Sequence, residues 1–134
     1  MKIVLAILIL ATGLGFGGAA RADFQDGLKA AQSGDFATAL QEWRPLAEQG
    51  LVGAQFNLGL MYDNGRGVPE NDAKAVKWYR LAAEQEGAEA QYNLGFMYAN
   101  GEGVLQDDRE AVKWYRLAAK QGECRRSGQP RFHV

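Results

Sequence analysis

Three short stretches of this 134-residue sequence contain residue types that could do chemistry. Residues 107–110, Asp-Asp-Arg-Glu, could form a carboxylate cluster for metal binding or proton transfer. Residues 65–67 and 101–103 have a Gly-x-Gly pattern that is also found in phosphate-binding loops. Acidic residues at the start of a helix stabilise its dipole, however, and Gly-x-Gly between two helices is ordinary turn chemistry. We therefore expect structural roles for all three stretches.

The composition argues against the common types of enzyme and metal site. One cysteine, Cys124, and one histidine, His133, exclude a disulfide framework and every zinc site with Cys/His spacing. The same scarcity removes the usual pairs of nucleophile and base. A formal net charge of −1 also argues against nucleic acid as a partner. We assign no catalytic residue, cofactor or metal ligand.

The first 22 residues predict a secretory signal peptide. A lysine precedes an apolar run at residues 3–11, glycines follow, and residues 20–22 are Ala-Arg-Ala. The uncharged stretch 3–20 is at the lower limit of a membrane span, but its glycines weaken a helix there. We expect cleavage after Ala22, a periplasmic or secreted product, and no stable membrane insertion after cleavage.

The sequence repeats itself at a spacing of 36 residues. Residues 54–85 align with residues 90–121 over 32 positions, of which 22 are identical. A period of this size is typical of stacked helical hairpins, in which each unit completes its core only against its neighbours. The repeat therefore predicts an all-α fold.

Each copy is predicted to form two helices joined by a turn. In the first copy, apolar residues at helical spacing run up to Asn64-Gly65, a pair that favours a left-handed helix end. Asn71 or Asp72 can cap the second helix. A small residue at Gly59 allows the helices to approach closely while large rings fill the remaining volume. Most of these rings are expected in the core rather than on a stacking platform: Trp78, Tyr79, Trp114 and Tyr115.

We expect a short α-solenoid of antiparallel helix pairs after the signal peptide. The predicted divisions are a degenerate N-terminal helix pair at 23–50, repeats at 51–87 and 88–122, and an irregular basic tail at 123–134. The tail shows no helical period, so it supplies no capping helix for the last pair. Self-association through this uncapped end is one hypothesis, and a broken reading frame in a longer array is another.

The residues conserved between the two copies resemble a known repeat. The pattern Ala-x-x-x-Leu-Gly-x-x-Tyr-x-x-Gly-x-Gly-Val, followed by Ala-x-x-Trp-Tyr-x-x-Ala-Ala, is similar to the Sel1-like repeat, a relative of the tetratricopeptide repeat. The resemblance covers residues 54–121 in two good copies and residues 23–49 in a weaker one. It implies an α-solenoid that serves as an interaction scaffold. Some secreted relatives with a cysteine pair in each repeat are linked to β-lactam binding, which we do not transfer because those cysteines are missing here.

Partner-binding residues are expected where the first helices of the two copies differ. The differing positions lie about four residues apart and so share one helix face. Exposed apolar residues on such a face tend to mark binding sites, and the family resemblance implies that this face is concave. Packing between neighbouring repeats is the alternative. The predicted binding residues are Phe56, Leu60, Asp63, Tyr92 and Phe96.

The sequence thus predicts a non-enzymatic scaffold or adaptor in the bacterial envelope that binds a protein or peptide in a helix-lined groove. An envelope hydrolase or a β-lactam-interacting protein is an alternative, but it needs a water-activating carboxylate pair that does not recur between the copies. A truncated repeat fragment without independent function is a further alternative.

Overall fold

The computed structural model of the chain describes residues 22–127. Each helix in this range packs against the helices that precede and follow it in the sequence, so the predicted α-solenoid of helix pairs is confirmed. Residues 1–21 of the predicted signal peptide and residues 128–134 of the predicted tail lie outside the described residues. The described part contains no strands and six helices: α1 (Phe24–Gln32), α2 (Phe36–Glu48), α3 (Val52–Asn64), α4 (Asp72–Glu84), α5 (Ala88–Asn100) and α6 (Asp108–Ser127).

Side-chain caps begin four of these helices. In each case a side-chain oxygen accepts a hydrogen bond from a backbone N–H two or three residues further on, at 2.7 to 3.1 Å. Such a bond satisfies one of the free N–H groups at a helix start. The acidic stretch 107–110 is therefore a helix start, as the sequence predicts. The capping residues are Asp23, Asp35, Asn71 and Asp107.

Glycines end the first helix of each repeat. Gly65 and Gly101 have φ angles of 65° and 66°, in the left-handed region that glycine adopts without strain. Two residues later, Gly67 and Gly103 are also left-handed, and a Cβ atom at Gly103 would overlap the backbone of Asp72. Both Gly-x-Gly stretches are therefore turns between helices, as predicted.

Helix α6 is longer than the sequence indicates. The prediction of an irregular tail from residue 123 is wrong for residues 123–127, which continue α6 to Ser127. In the first copy the chain turns at Glu86, whose φ angle is 67°, and Gly122 stands at the matching position of the second copy. A glycine inside a helix costs only about 1 kcal/mol relative to alanine. The glutamate and two arginines that follow are good helix formers, so the helix continues through Gly122.

A glycine on the first helix of each pair lies against an aromatic ring on the second. A Cβ atom at Gly59 would lie 2.5 Å from Cδ1 of Tyr79, and one at Gly95 would lie 3.0 Å from Cδ1 of Tyr115. Real Cβ atoms do not tolerate the distance at Gly59, and at Gly95 the ring would have to move by a few tenths of an ångström, so glycine lets both rings rest on the helix backbone. The three glycine–ring pairs are Gly27 with Trp43, Gly59 with Tyr79, and Gly95 with Tyr115.

Aromatic rings of the second helices contribute large buried side chains to the core. Tyr79 is fully buried, and Trp78 and Trp114 are 7% and 5% exposed. Tyr115, by contrast, is only half-buried. The prediction that most of these rings are core residues is therefore confirmed.

The close packing at Gly59 predicts a large effect of a single added methyl group. We expect Gly59→Ala to lower the free energy of unfolding by about 1–3 kcal/mol because the Cβ atom collides with the Tyr79 ring. Gly122→Ala is the matched control, since its Cβ atom would meet nothing within 4 Å. This control should gain about 0.5–1 kcal/mol from helix propensity. Urea unfolding followed by circular dichroism measures both, and a Gly59→Ala variant as stable as the wild type would contradict this packing.

Candidate functional site

Two of the five predicted binding residues, Phe56 and Asp63, contact the buried Tyr79. The ring centroids of Phe56 and Tyr79 are 5.8 Å apart, and the Tyr79 hydroxyl donates a hydrogen bond to Asp63 Oδ2 at 3.0 Å. The same hydroxyl is hydrogen-bonded with Asn93 of α5. Tyr79 therefore links α3, α4 and α5. Phe56 and Asp63 support this junction between repeats, which is the alternative role that the sequence left open for this face.

The environment of Tyr79 keeps its hydroxyl protonated. Burial raises the pKa of Tyr79 well above its ordinary value, and the negative charge of Asp63 raises this pKa further. The hydrogen bond with Asn93 acts in the opposite direction, but its effect is smaller than that of burial. The hydroxyl consequently remains a donor to Asp63 throughout the neutral pH range.

A third predicted residue, Leu60, lines a cleft beside helices α1 and α2. This cleft, called the Leu60 cleft below, has a volume of about 200 Å³. Small-molecule pockets are larger, at roughly 300–1,000 Å³. The cleft therefore fits one or two side chains of a peptide better than a cofactor. It is lined by Ala31, Phe36, Trp43, Asn57, Leu60, Met61, Asn64 and Arg66.

The Leu60 cleft combines apolar and polar lining groups. Trp43 and Met61 are buried and supply apolar surface, whereas the amide of Asn57 can both donate and accept hydrogen bonds. The exposed guanidinium of Arg66 lies over the Phe36 ring, with Cζ 5.5 Å from the ring centroid. The arrangement suits an apolar side chain flanked by backbone amides and a negative charge.

Two asparagines of this cleft were not among the predicted binding residues. Asn57 and Asn64 recur as Asn93 and Asn100, so they do not appear among the differences between the copies. Their recurrence is itself a signal, because asparagine is a poor helix former and needs a reason to persist in a helix. Part of that reason is structural: Asn64 Nδ2 donates to the carbonyl of Leu60 at 2.9 Å. Phe36 lines the cleft from the start of α2, and the repeat spacing does not predict this contribution.

The remaining predicted residues, Tyr92 and Phe96, are the most exposed of the five, at 56% and 46%. The Tyr92 ring lies 5.3 Å from the ring of Tyr115, centroid to centroid. Tyr92 lines an open groove of about 670 Å³ at the C-terminal side of the last helix pair, called the end groove below. The structure therefore places Leu60 and Tyr92 on two separate surfaces. The end groove is lined by Ala88, Glu89, Tyr92, Tyr115, Ala118, Ala119 and Gly122.

Groups that could bind a metal ion and helices that could span a membrane are both absent from the part of the chain that the structure describes. Within residues 22–127, no three His, Cys, Asp or Glu side chains are grouped in a way that could hold a metal ion. No helix in this range has the length and apolar character that crossing a membrane requires.

The chain matches known repeat proteins. The family model described as Sel1 repeat matches residues 52–86 and 88–123. A solved Sel1 repeat protein from Oxalobacter formigenes is 37% identical, with a TM-score of 0.72, and the match covers 77% of this chain and 42% of that one. A protective antigen present in uropathogenic Escherichia coli strains, which displays an SLR fold, is also 37% identical with a TM-score of 0.72. That match covers 88% of this chain and 26% of the antigen, so this chain spans less than half the length of either structure. A comparison with curated proteins finds no match.

The raised pKa of Tyr79 predicts a loss of stability in alkali. The unfolded chain releases the tyrosine proton near pH 10, whereas the folded chain holds this proton to higher pH. The contribution of Tyr79 to stability is therefore complete below about pH 10 and declines as the pH rises further. We expect Tyr79→Phe to be less stable by about 1–2 kcal/mol at pH 8, where it lacks the bond to Asp63. Its stability should also fall less than that of the wild type between pH 9 and 11. If urea unfolding shows that both proteins lose the same stability between pH 9 and 11, the raised pKa of Tyr79 is contradicted.

Proposed function

We propose that this chain, which belongs to the Sel1 repeat family, is a non-enzymatic scaffold that binds a peptide segment of another protein in the Leu60 cleft. The family fold is in general a scaffold for protein–protein interactions, without catalytic function. The observation that carries the proposal is the composition of the cleft, in which apolar walls adjoin the Asn57 amide and the Arg66 guanidinium.

The dimensions of the cleft favour a short anchor rather than a large partner surface. Its volume of about 200 Å³ accommodates an apolar side chain against Leu60, Trp43 and Met61. Asn57 can pair with the backbone of an extended segment, which presents both donors and acceptors. Arg66 stands beside the anchor position and favours a neighbouring acidic residue.

The two Gly-x-Gly turns differ in charge, and this difference would give the bound segment a direction. Glu102 stands in the second repeat where Arg66 stands in the first, so matching positions carry opposite charges. A segment with an acidic residue near Arg66 and a basic residue further along would satisfy both positions. Since Arg66 is exposed, this part of the binding energy should weaken as salt increases.

The proposed location is the bacterial envelope, after export and cleavage behind Ala22. Cleavage there would remove nothing from α1, which begins at Phe24 with Asp23 as its cap. The backbone nitrogen of Asp23 donates to Glu42 Oε2 at 3.1 Å. In the cleaved chain this nitrogen would be a charged amino group, so the hydrogen bond would become an ion pair that ties the new N-terminus to α2.

The binding site is tested by selecting peptides from a random library on the immobilised chain. We expect the selected peptides to share an apolar residue next to an acidic one and to lose roughly tenfold or more in affinity for Leu60→Glu. Leu81→Glu is the matched control, because Leu81 is an exposed leucine on helix α4 of the same repeat. Peptides that bind the wild type and Leu60→Glu equally well would contradict a site in the Leu60 cleft.

The proposed export is tested by expressing the full chain in a bacterial host and measuring the intact mass of the product in the envelope and medium. The expected product begins at Asp23, because Ala-Arg-Ala precedes that residue. An uncleaved chain retained in the cytoplasm would overturn the proposed location. Replacing Ala22 by a bulky residue should block the processing, which provides the control.

A further inference from the structure

The end groove is a second copy of a surface that is covered elsewhere in the same molecule. Tyr115 and Ala119 follow Tyr79 and Ala83 by one repeat of 36 residues. In the first repeat these two positions are 0% and 2% exposed. In the second repeat Tyr115 is half-buried, and Ala119 is exposed. The same residue types therefore line an internal interface in one repeat and an open groove in the next.

The cover of the first surface is helix α5. Gln91 Nε2 on α5 donates to the carbonyl of Ala83 at 3.1 Å. Helix α3 covers α2 in the same way, because Gln55 Nε2 donates to the carbonyl of Ala47 at 3.1 Å. The contact between a first helix and the preceding pair thus occurs twice within residues 22–127. The end groove contains Tyr115 and Ala119, which match the residues that α5 covers in the first repeat.

The opposite end of the array is built differently. When α1 is aligned with α3 on the glycines that face aromatic rings, Asp23, Asp26 and Lys29 stand at the positions of Gln55, Leu58 and Met61. The cap Asp23 and the two residues of α1 are exposed, whereas the three residues of α3 are buried. The charged residues therefore make the outer face of α1 compatible with exposure to water. Stacking this face on the end groove of a second copy would bury its charges, which opposes a head-to-tail chain of identical copies.

A buried polar atom near the groove also lacks a partner. Gln121, on α6 beside the lining residues Ala118 and Gly122, is 6% exposed. Its Nε2 donates to the carbonyl of Glu86 and to Gln91 Oε1, but its Oε1 has no hydrogen-bond partner among the described residues. An unsatisfied buried acceptor of this kind is uncommon in folded proteins.

We propose that the end groove binds, from another protein chain, the first helix of a Sel1-like repeat, packed on α6 as α5 packs on α4. The occupant carries the face that α3 and α5 share: alanine, glutamine and leucine in the order Ala-Gln-x-x-Leu-Gly. Its alanine lets the helices approach closely, and its glutamine supplies a side-chain donor of the kind that Gln55 and Gln91 use. This surface is separate from the Leu60 cleft, so it extends the proposed function by a second partner site.

The test uses helix α5 itself as the probe. A fluorescent peptide with the sequence of residues 87–100, bridged by a lactam to keep it helical, is titrated with the purified full chain, and its anisotropy is measured. We expect saturable binding that Ala119→Glu weakens by roughly tenfold or more, because the new carboxylate would lie under the docked helix. Leu117→Glu is the matched control on the same helix, since Leu117 is 39% exposed and is not among the groove residues. A peptide of equal length from residues 22–35, with the charged face of α1, should not bind.

Three results would overturn the proposal. The first is a folded, monomeric wild type that does not bind the α5 peptide. The second is a wild-type dimer in analytical ultracentrifugation that Ala119→Glu dissociates, which would assign the groove to a second copy. The third is a chain ended at Ser127 that binds the peptide when the full chain does not, which would assign the groove to residues 128–134. Circular dichroism of each variant establishes that a loss of binding is not a loss of fold.

Discussion

The distance between the two helices of each pair is set by a glycine that faces an aromatic ring. Because the glycine has no side chain, the ring of Tyr79 lies directly on the backbone of α3 at Gly59. The helices α3, α4 and α5 have only 13 residues each, a length at which isolated helices are marginal in water. Their stability therefore depends on tertiary packing, in which alanines of both helices are buried together with the ring.

A second set of contacts joins one pair to the next, and it is polar. Gln55 and Gln91 are each 3% exposed. Each amide donates a hydrogen bond to a carbonyl near the end of the preceding helix and accepts one from a glutamine further along the chain. Gln85 Nε2 donates to Gln55 Oε1 at 2.8 Å, and Gln121 Nε2 donates to Gln91 Oε1 at 3.2 Å. Buried amides tolerate few alternative arrangements because each loses free energy when it is unpaired. This ladder consequently fixes the register of stacking, whereas the apolar core contributes most of the stability.

Some outward-facing residues that the two copies share take part in the fold. Lys77 and Lys113 are surface cations, yet their ammonium groups lie 5.1 and 4.8 Å from the centroids of the Trp78 and Trp114 rings. They cover the outer faces of these tryptophans and so take part in the fold. Of the ten positions at which residues 54–85 and 90–121 differ, three lie on the first helix, four in the turn after it and three on the second helix.

Much of the fold follows from the sequence because its signals are local or repeated. The period of 36 residues indicates the helix pairs, Asn71 and Gly65 mark a helix start and a helix end, and the alanines around Trp78 indicate a buried face. The residues of the candidate site depend instead on which helix lies next to them. Tyr79 and Tyr115 have the same local sequence, but α5 buries the former, and no helix among residues 22–127 follows the latter. Local sequence determines which face of a helix is apolar, whereas only the neighbouring helix determines whether that face is buried or exposed.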